Sequence, residues 1–98
     1  MFVRIVKLSF APEHIDTFLS NFEVSKDKIR HFEGCLFLEL YRDKVNEHQF
    51  FTYSYWKDEA SLELYRQSDL FKSVWSKTKP LFNAKPEAWS VDKIVSLP

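Results

Sequence analysis

The sequence has a single cysteine, Cys35, so it can form no internal disulfide, and a reducing compartment follows. It has no excess of either charge, since 14 Lys and Arg are matched by 14 Asp and Glu. Nucleic-acid binding needs a basic surface that releases counterions, and a polybasic membrane anchor needs the same sign of charge. Both classes are therefore disfavoured. Long apolar runs are also missing. The opening MFVRIVKLSF is interrupted by Arg4 and Lys7, which denies it the apolar region of a secretory signal. No other stretch could span a membrane, and the chain reads as soluble and cytoplasmic. There is no internal repeat, no low-complexity segment and no linker. A chain of 98 residues has material for one core only, so residues 1–98 are expected to form a single domain. His14, His31 and His48 lack the spacing of a metal site, and no C-x-x-C accompanies Cys35. No metal is expected.

Aromatic residues are what the chain has in abundance: 17% of positions, ten of them Phe. Each such ring buries roughly 150–250 Å², which favours a dense core, a subunit interface, or both. Val3–Phe10 is a strand by its β-branched and aromatic content. Pro12 then opens a helix whose apolar stripe runs Ile15, Phe18, Leu19, Phe22, Ile29 and Phe32, thinning at Val24–Lys28 where a bend is expected. Gly34, the only glycine, follows as a left-handed cap. Cys35–Arg42 and Phe50–Trp56 pair as a hairpin. Asp58 caps a helix from Glu59, and Ser68 or Asp69 caps another that Pro80 ends at Lys79. Ala88–Val95 is the fourth strand.

Strand, helix, strand, strand, helical region, strand is the order of a ferredoxin-like split βαβ fold: α+β, a four-stranded antiparallel sheet with helices on one face. The other face would be bare yet apolar, because the first and third strands show large apolar residues on both sides. Such a face predicts a partner, and a homodimer packed sheet against sheet is expected.

The stretches "FEGCLFLELYRD", "FFTYSYWKDEASLELYRQSDLFKSVW" and "AWSVDKI" resemble the antibiotic biosynthesis monooxygenase family over nearly the whole chain. The resemblance is most specific at Glu33-Gly34-Cys35, at Trp56–Leu62, and at Ser68–Phe71. It implies a dimeric α+β barrel and, for the oxygenases among its members, oxidation of polycyclic phenols and quinols by O₂ without a cofactor. In that chemistry the substrate anion reduces O₂, and the protein holds the ring, excludes water and stabilises the charge.

Under this resemblance Tyr65, Tyr53 and Arg4 are the candidate catalytic residues, and Tyr55, Phe71, Trp75 and Glu39 are candidates for substrate binding. Relatives often carry histidine where this chain has Tyr65. A phenol with a pKa near 10 is a poor general base at neutral pH, which leaves Tyr65 hydrogen bonding and stacking. Haem degradation is disfavoured, because the position of the histidine in haem-degrading members is Trp75, and an indole is no axial ligand. Glu39 is an unusual carboxylate for an apolar strand; exposure or pairing with Arg4 or Lys7 is expected of it. Alternation puts Tyr53 and Tyr55 on one strand face and Thr52, Ser54 and Trp56 on the other. A non-catalytic dimer that binds a small apolar ligand is the alternative reading.

Overall fold

Strict alternation makes the first run of the chain a two-faced strand. In the computed structural model, which describes residues 1–98, it is β1 (Phe2–Ser9). Phe2, Arg4, Val6 and Leu8 point to one face and Val3, Ile5 and Lys7 to the other. A short 3₁₀ turn at Pro12–His14, with Pro at its start, leads into α1 (Ile15–Arg30). Where the apolar stripe thins, at Val24–Lys28, α1 continues as unbroken helix with Val24 exposed. The hairpin strands are β2 (Cys35–Arg42) and β3 (Gln49–Trp56). Two short helices follow, α2 (Glu59–Arg66) and α3 (Asp69–Thr78), and Lys79–Leu81 continues as a 3₁₀ turn around Pro80. The last strand is β4 (Glu87–Val91).

The sheet order is β2-β3-β1-β4, antiparallel throughout. The fold is the ferredoxin-like α+β arrangement. The fourth strand is shorter than the expected Ala88–Val95. Val91 pairs with Val3, and β1 begins at Phe2, so an antiparallel strand has almost no partner beyond that point. The chain instead turns over the open face, where Lys93 Nζ donates to the Tyr55 hydroxyl at 3.1 Å. No helix of the chain is long and apolar enough to cross a membrane.

Gly34 has a backbone role other than the expected helix cap. The cap of α1 is His31, and Gly34, at φ +92°, sits in a turn closed by the Cys35 N–H on the Phe32 carbonyl at 2.9 Å. A Cβ at this position would lie 2.4 Å from Ser61 Cβ, so the turn also needs the absence of a side chain to pack on α2.

Burial concentrates on the helix-covered face in two clusters. Phe2, Ile29, Cys35, Trp56, Leu62 and Tyr65 form one, and Leu8, Phe10, Phe18, Phe50 and Leu81 the other. Trp56 is 1% exposed, and its indole N–H donates to Ser54 Oγ at 3.0 Å. Cys35 is buried, and desolvation pushes its thiol above the ordinary range, as befits an inert side chain.

Candidate active site

Between the sheet and the helices the two clusters leave a cavity of about 380 Å³. This lies within the range of small-molecule sites, roughly 300–1,000 Å³. β1 and β3 floor it with Arg4, Val6, Thr52 and Ser54. α2 and α3 wall it with Tyr65, Phe71, Val74 and Trp75, and α1 contributes Phe18 and Phe22. The register explains the floor: Arg4 pairs with Ser54, and Val6 with Thr52, so these four share the covered face.

Tyr65 sits at the junction of the walls, 8% exposed. Its ring is tilted against Trp56 at 5.1 Å and edge-on to Phe71 at 5.2 Å, and Phe71 stacks on Trp75 at 6.0 Å. This chain of rings descends from the caps. Ser68 ends the α2–α3 turn by donating to the Tyr65 carbonyl at 2.6 Å and accepting the Phe71 N–H at 3.1 Å. The i, i+4 spacing of Phe71 and Trp75 then puts both on one face of α3. Burial pushes the Tyr65 phenol well above its ordinary pKa, so it is neutral at physiological pH. Tyr65 lines the cavity, and its hydroxyl forms no hydrogen bond within the chain.

Arg4 is the cation of the floor. Its Nη1 donates to Ser90 Oγ at 3.0 Å, and the residue is half-buried. Desolvation, and then the nearby Arg66 charge, lower its pKa. Arg66, at the end of α2, also borders the cavity. It was not singled out in the sequence, where it is one more charge on a polar helix end with no local signal. The one carboxylate residue on the wall is Glu87, whose Oε2 lies 3.6 Å from Lys7 Nζ.

Tyr53, Tyr55 and Glu39 are not in this cavity. They project from the opposite face of the sheet, because they alternate with Ser54, Trp56 and Leu38 on strands whose other side is covered. There Glu39 accepts from the Tyr41 hydroxyl, not from Arg4 or Lys7. Tyr55 stacks on Phe37 at 4.7 Å, and Tyr53 meets Tyr55 edge-on at 5.6 Å. Of the seven candidate side chains, the fold thus joins Arg4, Tyr65, Phe71 and Trp75 and separates the remaining three from them by the thickness of the sheet. The histidines lie elsewhere: His31 Nδ1 is 2.8 Å from the Asp27 carbonyl and His48 Nδ1 is 3.3 Å from Ser9 Oγ. His14 Nδ1 is buried without a partner.

A half-open α+β sandwich with a ring-lined cavity beneath its helices defines a small ferredoxin-like domain. The family model described as antibiotic biosynthesis monooxygenase matches residues 1–75, and the chain belongs to that family. Solved structures share the fold at low identity. An antibiotic biosynthesis monooxygenase superposes with a TM-score of 0.90 at 21% identity, covering 97% of this chain and 100% of that one. A conserved protein from Methanosarcina mazei Go1 gives 0.88 at 24% identity, with 95% and 93% covered. A Pseudomonas aeruginosa protein gives 0.85 at 20%, with 96% and 94% covered. No curated protein matches the sequence.

Proposed function

We propose that the cavity binds an electron-rich aromatic molecule, a quinol or an anthrone, and that the protein is a cofactor-independent monooxygenase acting on it. The observation that carries this reading is the ring-lined cavity, with the buried, neutral Tyr65 phenol and the Arg4 cation both on its lining. An aromatic anion in this place meets a hydrogen-bond donor and a positive charge in apolar surroundings, where both act strongly. For an anthrone the reaction balances without an added reductant. The ionised CH₂ carbon passes an electron to O₂, the radical pair joins as a peroxide, and loss of water leaves the new carbonyl. Phe71 and Trp75 hold the ring by stacking; Tyr65 donates to the oxyanion; Arg4 offsets its charge.

The cavity holds no ready base. Tyr65 keeps its proton, Glu87 is engaged by Lys7, and no histidine borders the space. The substrate must therefore ionise readily by itself, with Arg4 and Tyr65 lowering its pKa. The same observation favours the second reading, a non-catalytic domain that binds an apolar aromatic ligand.

Aerobic incubation with dithranol or a naphthoquinol in the presence of a chelator separates the two, with oxygen uptake and ligand binding followed together. The enzyme reading predicts uptake above the buffer rate. Binding without uptake across the panel contradicts it and leaves the binding domain.

We also propose a homodimer formed through the open sheet face. A monomer of 11.8 kDa has a surface of about 5,900 Å² by the usual scaling, whereas this chain exposes 6667 Å². The surplus is close to the roughly 800 Å² that each partner contributes to a standard interface. Tyr41 and Trp89, both nearly half exposed, belong to that face.

A further inference from the structure

Three cations of this chain, Lys7, Lys26 and Arg66, lie in ion pairs, all of them on the surface. Arg4 is not among them, and its setting is particular. It borders an apolar cavity, its side-chain partner is the neutral Ser90 hydroxyl, and no carboxylate lies within ion-pair distance of it. Arg66 reaches the same cavity from the end of α2. Its single partner is Glu63, 3.4 Å away in the same helix and half-exposed, a pairing of small strength. Arg4 and Arg66 thus line one cavity whose single carboxylate residue, Glu87, pairs with Lys7 at 3.6 Å, and Glu63 is not among the lining residues. Burial lowers the Arg4 pKa, and the nearby Arg66 charge lowers it further. Placing like charges beside an apolar wall is unfavourable unless a ligand brings the opposite charge. Guanidinium groups are the side chains best matched to a planar oxyanion, through parallel N–H donors.

We propose that the ligand of this cavity carries a permanent carboxylate, seated between Arg4 and Arg66, on the aromatic body that lies against Tyr65, Phe71 and Trp75. The inference rests on the reading that an aromatic molecule occupies the cavity, and it adds the acid group and a binding role for Arg66. Neutral polycyclic quinols then bind as poor analogues, and their carboxylated counterparts as good ones.

A matched pair of probes tests it: 2-naphthoate and its neutral analogue 2-naphthamide, titrated calorimetrically into the full chain at low and moderate salt. The expected result is that naphthoate binds at least about tenfold tighter than the amide. That preference should shrink as salt rises. In Arg66→Gln it should fall several-fold while amide binding is unchanged, and Arg66→Lys should restore part of it. In Arg4→Gln the two probes should approach parity. Arg66 is half-exposed, so its variants keep the fold and carry the test without Arg4. Equal affinity for acid and amide in the unmodified protein overturns the carboxylate and leaves the aromatic cavity standing. An Arg66→Gln variant that keeps the full preference overturns the role of Arg66. Failure of both probes to bind overturns the aromatic reading and this inference with it.

Discussion

Tyr65 connects burial to chemistry at a single side chain. Its phenol is pushed up by desolvation, so its contribution to stability is fully present below the unfolded tyrosine pKa of about 10. As pH rises beyond that value the unfolded chain loses the proton first, and stability falls. Urea unfolding at pH 9 and pH 11 should therefore show a steeper alkaline loss in the parent than in Tyr65→Phe. Identical losses would mean that Tyr65 is not the group responsible. Ser54 supports the neighbouring ring. Ser54→Ala leaves the buried Trp56 indole N–H without its acceptor, and a cost of about 1–3 kcal/mol is expected in the same assay. Gly34 shows how far a residue can be read from sequence. That the only glycine serves the backbone was legible; that it also makes room for Ser61 was not, because the contact joins two segments distant in the chain. Gly34→Ala should cost at least about 2 kcal/mol through its positive φ and the clash together. Adding Ser61→Gly should recover the steric part alone.

Elements whose ends are decided locally were the most legible. Asp58 and Ser68 sit at the starts of α2 and α3 where their side chains accept the N–H three residues on, at 2.8 and 3.1 Å. Ser68→Ala should cost about 1 kcal/mol and loosen the α2–α3 turn that aims Tyr65 and Phe71. The side-chain and then the backbone hydrogen bond from Ser61 lower the Asp58 pKa, so its stabilisation is present above the unfolded carboxylate value and is lost as pH falls through the lower folded one. Asp58→Asn should flatten the acid limb of a stability profile below about pH 4, seen as a smaller shift in urea midpoint. The end of β4 was not legible, because it depends on where β1 begins. Arg66 escaped for the same reason: its relation to Arg4 exists only once the fold brings the end of α2 and β1 to one cavity.

For the molecule as a whole, alternation correctly assigned Tyr53, Tyr55 and Trp56 to their faces of β3, but not which face the cavity would occupy. The sheet divides the aromatic wealth of the chain into a cavity under the helices and an exposed patch beneath the strands. We assign the second to self-association, and sedimentation at micromolar concentration should give twice the chain mass, with Tyr53→Glu shifting it to the monomer. A monomer in the unmodified protein would remove that assignment. The first set carries the proposed chemistry. Its most direct test is metal-free oxygen uptake with dithranol or a naphthoquinol, comparing the parent chain with Tyr65→Phe and Tyr53→Phe. Uptake that falls about tenfold or more in Tyr65→Phe, and little in Tyr53→Phe, is the predicted result. No uptake above buffer, or equal rates in the parent and Tyr65→Phe, would contradict an oxygenase built around this cavity.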